Sequence, residues 1–133
     1  MKAKIILFED EKDVRESIIE ILVNNDFEAI TLKTDTNFLE RIIFHKPDLI
    51  ISDIMMPIKN GFDVFKEVKS REETQDIPFI FLTAKSDYND IRIGMALGAD
   101  DYILKPFKVK DLLRSIELRL KNSQKVKNRL NDF

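Results

Sequence analysis

The 133-residue chain is 44% hydrophobic and 35% charged, a balance that suits one compact domain with its own core. It has no cysteine and one histidine, which excludes disulfides, thiolate zinc sites, cysteine nucleophiles and an all-histidine metal site, so any metal must be held by oxygen. A net charge of -2 spread over both signs gives no basic footprint for direct nucleic-acid binding. No apolar run approaches the ~20 residues of a membrane span, and the apolar residues after Met1-Lys2-Ala3-Lys4 are too few for a signal peptide, so the expected location is cytoplasmic.

Ile5-Ile6-Leu7-Phe8 reads as a buried strand with Glu9, Asp10 and Glu11 at its carboxyl tip. Asp13 and Glu16 resemble a capping box, and Val14, Ile18, Ile21 and Leu22 recur at helical spacing, so a helix is predicted over about 13–25. Phe27 to Lys33 nearly alternates, as an edge strand does, and Thr34-Asp35-Thr36 offers N-caps to a second helix with Phe38, Leu39, Ile42 and Ile43 inside. That helix stops before Pro47, because the residue preceding proline is pushed out of the α region. His45 is read as a helix-end residue rather than a phosphorylation site.

Residues 48–53 are a short, isoleucine-rich run, predicted to be a central strand buried on both faces, and the Asp53 carboxylate emerges where it ends. Met55 to Gly61 is turn material: Pro57 fixes its own φ, and Asn60-Gly61 tolerates positive φ. A third helix follows through Phe62, Val64, Phe65 and Val68, then a strand from Ile77 to Leu82 ending at Thr83. Asp87 to Asn89 opens a fourth helix containing Ile91, Met95 and Leu97, with Gly98 as its C′ residue. Asp101 to Leu104 is a fifth strand closed by Lys105-Pro106-Phe107, and Val109, Leu112, Leu113, Ile116 and Leu120 stripe a last helix.

Strands alternating with helices argue for a doubly wound α/β fold with a parallel sheet, whose ligands bind beyond the carboxyl ends of the strands. That rule gathers Glu9, Asp10, Asp53, Thr83 and Lys105 into one pocket. Two carboxylates at 4 Å repel by on the order of 4 kcal/mol at an effective dielectric of 20, a penalty that a bound cation removes. An all-oxygen set with few carboxylates favours Mg²⁺ awaiting phosphate oxygens. Lys105 and Thr83 then suit a phosphoryl group as point charge and hydroxyl donor, and Asp53 is the natural nucleophile, forming an acyl phosphate.

Phe8-Glu9-Asp10-Glu11, Ser52-Asp53-Ile54-Met55-Met56-Pro57, Leu82-Thr83-Ala84 and Lys105-Pro106-Phe107 resemble the receiver domain of two-component response regulators, over about residues 4–120. The resemblance implies a (βα)5 flavodoxin-like sandwich with strand order 2-1-3-4-5, a receiver domain over 1–121 and a helix extension or linker over 122–133. It implies Asp53 as phosphoacceptor, Glu9 and Asp10 as the acidic Mg²⁺ pair, the Met55 carbonyl as a further metal ligand, Thr83 as switch hydroxyl, Tyr102 as switch aromatic and Lys105 as phosphate partner. Lys105-Pro106 would be cis. Glu9 stands where many members carry Asp, so it would reach the metal through water.

By the same resemblance the partner is a sensor histidine kinase or phosphotransfer protein, and the readout is the surface of helix four, strand five and helix five. Gly98 to Tyr102 resembles the stretch by which dimerising regulators pair acids with basic residues of the partner's last helix. Arg114 and Arg119 are candidates for that role, with Arg92 and Glu117 as a second pair; the alternative is ordinary solvated charges. Tyr102 has its own alternative as an amphipathic surface ring. Lys121 to Phe133 is either a solvated helix extension or a short contact through Leu120, Val126, Leu130 and Phe133, interrupted by Ser123 and Lys127.

Two rival functions are an aspartyl-phosphate hydrolase and a receiver-like module that only binds proteins. The hydrolases resembled would carry an acid/base Asp where this chain has Met55, and the intact site residues speak against a purely binding role. A receiver with Met55 and Lys85 flanking the site is expected to lose its phosphoryl group slowly, because Met is only a weak acceptor.

Overall fold

The computed structural model describes residues 2–84 and 88–131, with side chains given for all of these except 88 and 125–131. The elements run β1 (Lys4–Phe8), α1 (Lys12–Asn24), β2 (Glu28–Thr31), α2 (Phe38–His45), β3 (Leu49–Asp53), α3 (Gly61–Lys69), β4 (Phe79–Ala84), α4 (Tyr88–Leu97), β5 (Asp101–Lys105) and α5 (Val109–Asn131). All sheet pairings are parallel, in the order β2-β1-β3-β4-β5. This is the doubly wound, flavodoxin-like fold expected.

Strand alternation divides the core in two. Ile6, Phe8, Ile50, Phe79 and Phe81 pack with Phe38, Ile42, Val64, Phe65 and Val68 from α2 and α3. Their neighbours Ile5, Leu7, Leu49, Ile51, Ile80 and Leu82 pack with Ile18, Leu22, Leu112 and Ile116 from α1 and α5 on the other face. Every residue of β3 is buried, which is why that strand carries no polar alternation before Ser52 and Asp53. The edge strand β2 is half-exposed throughout and ends at Thr31, two residues short of the predicted Lys33.

Several helix signals resolve differently from the sequence patterns. The predicted capping box at Asp13 is absent: Glu11 is the N-cap of α1, without a side-chain cap, and Asp13 is an acid of the first turn. α2 begins after Asn37 rather than at Thr34-Asp35-Thr36, and Asp35 instead accepts from the Asn37 N–H. Lys46 leaves the α region before Pro47 as expected, but for a left-handed conformation with φ 51.

The capping box lies at α3, where Asn60 accepts from the Asp63 N–H and Asp63 accepts from the Asn60 N–H. Gly61 does not use positive φ, which among the described glycines belongs to Gly98 alone. Its role is space: a Cβ there would collide with the Asp53 carbonyl oxygen and lie 3.0 Å from Ile54 Cα. In α4 the buried position is Gly94, where a Cβ would stand 2.9 Å from the Phe81 ring, whereas Met95 and Leu97 are exposed. Val109, placed in the apolar stripe of α5, is 49% exposed, because the stripe becomes buried only from Leu112. Asp87, Lys85 and Phe133 lie outside the described residues, as do the side chains of Val126, Lys127 and Leu130.

Candidate functional site

The sheet register delivers the chemistry to one end. Phe8 pairs with Ser52, Asp53 with Leu82, and Ala84 with Lys105, so the tips of β1, β3, β4 and β5 converge. Glu9 and Asp10 follow directly on β1. One carboxylate oxygen from each of Glu9, Asp10 and Asp53 lies within 4.8 Å of the others. Such an all-oxygen set fits a hard divalent cation of the Mg²⁺ type. Lys105 Nζ enters the same cluster, donating to Asp53 Oδ2 at 2.7 Å and Glu9 Oε2 at 3.4 Å. The Met55 N–H donates to Asp53 Oδ1 at 3.2 Å, so both oxygens of Asp53 are held. The Lys105-Pro106 peptide is cis, as the resemblance implied.

The electrostatics follow from this crowding. Burial, then the hydrogen bond and charge of Asp53, push the Glu9 carboxyl from its ordinary 4.5 up to about 8, and Lys105 offsets only part of that. Burial pulls the Lys105 ammonium down, but Asp53 and then Glu9 outweigh it and leave it above its ordinary value. Burial and Asp53 thus favour the protonated form of Glu9 in the metal-free protein, and Asp53 and Glu9 favour the charged form of Lys105.

Thr83 is buried, and its Oγ1 has no hydrogen-bond partner among the described residues. An unpaired buried hydroxyl costs about 1–3 kcal/mol, and Thr83 stands one residue beyond Leu82, the register partner of Asp53. Tyr102 pairs in register with Phe81, and Thr83 lies two residues further along β4, so alternation places Thr83 and Tyr102 diagonally on one face of the sheet. Tyr102 is 37% exposed. Beside the cluster opens a cleft of about 570 Å³ walled by Arg15, Leu32, Arg41, Met56 and Ile58.

The geometry thus brings together Glu9, Asp10, Asp53 and Lys105, with Met55 adjoining, and the sheet register sets Thr83 near the tip of the neighbouring β4. Sequence reasoning missed Arg15, whose Nη1 donates to the Glu9 carbonyl at 3.1 Å and the Asp10 carbonyl at 3.4 Å. Its signal was faint: one basic residue a turn beyond the acidic tip. At the expected dimer face, Asp101 Oδ2 already accepts from Ser115 Oγ and lies 3.9 Å from Arg119 Nε within the same chain. Arg119, a candidate for pairing with a partner's acids, thus lies near an acid of its own chain.

A five-stranded parallel sheet in this order, with an acidic cluster and a lysine at the carboxyl ends of its strands, defines the class of flavodoxin-like α/β domains. Within it the assignment is firm: residues 5–117 match the response regulator receiver domain family, and the chain belongs to that family. It is 32% identical over 123 residues to the DNA-binding response regulator MtrA of Mycobacterium tuberculosis (strain ATCC 25618 / H37Rv), covering 92% of this chain and 53% of MtrA. It is 39% identical over 124 residues to the transcriptional regulatory protein DltR of Streptococcus agalactiae serotype III, covering 93% and 54%. The chain therefore spans about half the length of these curated relatives. Among solved structures, a response regulator from Chloroflexus aurantiacus superposes with a TM-score of 0.86 at 26% identity, covering 91% of this chain and 99% of that one. NtrX from Brucella abortus superposes at 0.88 and 27% identity, covering 99% of this chain and 30% of NtrX.

Proposed function

We propose that Asp53 is the phosphoacceptor of this receiver domain, taking a phosphoryl group from the phosphohistidine of a sensor histidine kinase or phosphotransfer protein, or from a small acyl phosphate. The observation that carries this is the 2.7 Å contact of Lys105 Nζ with Asp53 Oδ2 inside the three-carboxylate cluster. A carboxylate oxygen of Asp53 attacks phosphorus, the phosphorus–nitrogen bond breaks, and its electron pair stays on the imidazole. Glu9, Asp10, Asp53 and the Met55 carbonyl would hold Mg²⁺, which when bound neutralises charge on the phosphoryl oxygens. Lys105 shifts from carboxylate to phosphoryl oxygen, and the orphan Thr83 hydroxyl supplies a further donor. A phosphoryl group adds about −1.5 to −2 charge, and Thr83 turning inward to meet it vacates space for Tyr102.

The domain is a signalling acceptor rather than a turnover enzyme: Met55 occupies the place of an acid/base, and the acyl phosphate is slow to hydrolyse. Acetyl phosphate with Mg²⁺ should give stable, stoichiometric labelling by intact mass, abolished in Asp53→Asn. Undiminished labelling of Asp53→Asn would sink the assignment, and catalytic phosphate release would favour the hydrolase.

The readout is the face of α4, β5 and α5, where Ile93 and Met95 are 47% and 43% exposed. Homodimerisation through it would need Asp101 to exchange its internal partners, so the Arg92–Glu117 pair and Arg114 are the stronger contributors. Sedimentation with a beryllofluoride mimic tests this, and a monomer at high micromolar concentration with and without the mimic removes the dimer. The DNA-binding function named for MtrA cuts against a reading without nucleic-acid partners. In a longer protein this domain would control DNA indirectly, since its own charges are mixed. No helix among the described residues is long and apolar enough to cross a membrane, in keeping with a cytoplasmic site of action.

A further inference from the structure

We propose that Arg15 is a positioning residue for the metal-binding acids, bracing the turn after β1 through two successive carbonyls so that Glu9 and Asp10 face Asp53. The inference rests on the reading that Glu9, Asp10 and Asp53 hold Mg²⁺.

Glu9 and Asp10 are fixed unequally. The Glu9 carboxylate is buried and held by Lys105 and, at 3.4 Å, by the Glu11 N–H. Asp10 is exposed, and among the described residues no hydrogen bond or ion pair holds its carboxylate. The backbone there sets where that side chain starts, and its rotamers do the rest. α1 ties in the N-cap Glu11 through the Arg15 N–H, but Glu11 makes no side-chain cap and that bond does not reach the Glu9 and Asp10 carbonyls. Arg15, half-buried one turn into α1, reaches back instead, and Nη1 spans the Glu9 and Asp10 carbonyls. A guanidinium nitrogen carries two hydrogens, so one nitrogen serves both acceptors.

Arg15 forms no ion pair among the described residues although carboxylates lie close by, so its charge is used on the turn rather than on them. Electrostatics and positioning therefore predict opposite signs. Removing a positive charge beside a cation site should tighten cation binding. Removing the brace should loosen it, since outer contacts that orient ligands carry about 10–100-fold in metal affinity.

The test is an NMR titration of the full unphosphorylated chain with MgCl₂. Wild type should saturate with shifts at Glu9, Asp10 and Asp53. Arg15→Met should bind about tenfold more weakly, and its Glu11 amide should exchange faster with solvent. Arg15→Lys, which keeps charge and a donor, should fall between them and carries the test if Arg15→Met does not fold. Arg41→Met removes another positive charge that lines the same cleft, where Arg41 pairs with Asp35 at 3.2 Å, and should bind as tightly as wild type or more tightly. Arg15 variants that bind as tightly as wild type, or that shift affinity in the same direction as Arg41→Met, overturn the proposal. A wild type that shows no Mg²⁺-dependent shift at the three acids overturns the metal reading itself, and the inference with it.

Discussion

The two halves of the pocket are built on opposite principles. Along β1, β3 and the tip of β5 most of the groups that meet are held: Asp53 by Lys105 and the Met55 N–H, Glu9 by Lys105 and the Glu11 N–H, and the turn by Arg15, with the exposed Asp10 carboxylate the exception among the described residues. Along β4 and α4 the opposite holds, with a Thr83 hydroxyl that has no partner among the described residues, a helix seated through Gly94, and exposed Ile93 and Met95. On the proposed function, the well-held half would pre-organise the group that reacts, and the other half would keep alternatives for the group that reports.

The largest break in that contrast is expected at Lys105. Lys105→Met should lower the rate of labelling by acetyl phosphate by about 10²-fold or more, the scale of losing one preorganised charge donor. Its Mg²⁺ affinity should rise, because a competing cation leaves the cluster. A rate within a few-fold of wild type would show that Lys105 is only a structural counter-ion.

The second effect is on pH. The Glu9 carboxyl binds its proton more tightly folded than unfolded, from 4.5 up to about 8. Between those values the native state holds the extra proton, so metal-free stability is full below about 4.5 and is lost as pH rises toward 8. The slope is at most about 1.4 kcal/mol per pH unit. Urea midpoints of the metal-free protein should fall between pH 5 and 8, and Glu9→Gln should flatten that fall. Over the same window Mg²⁺ affinity should rise, since binding must expel the proton.

Smaller effects separate the two halves further. Gly94→Ala gains about 1 kcal/mol of helix propensity but forces a methyl against Phe81, whose ring packs 5.0 Å from Phe79 and 5.4 Å from Phe62. Overpacking costs about 1–3 kcal/mol, so a net loss of about 1 kcal/mol by urea unfolding is expected. Asn60→Ala should cost about 1 kcal/mol through the α3 capping box, with Asp53 labelling unchanged.

The rigid half was the legible half. Glu9, Asp10 and Asp53 follow or end buried, nearly uninterrupted apolar strands and Lys105 ends the more exposed edge strand β5, and polar residues at such ends report the fold and the site at once. What the sequence concealed depends on local geometry. Gly61 looks like a turn glycine but is a matter of clearance from Asp53. Asp13 with Glu16 and Asn60 with Asp63 offer similar caps, and only packing decides between them. α4 gave its apolar residues to the surface and its contact to a glycine, a pattern that periodicity cannot express. Arg15 touches only backbone, so no side-chain motif betrayed it.

The most direct measurement is an NMR comparison of wild type and Thr83→Ala with a beryllofluoride mimic on Asp53. In wild type, shifts should spread from the acidic cluster through Thr83 to Tyr102 and α4. In Thr83→Ala the mimic should still bind, with shifts confined to the surroundings of Glu9, Asp10 and Asp53. Undiminished shifts at Tyr102 and α4 in Thr83→Ala would contradict the division of the pocket into a fixed half and a switching half.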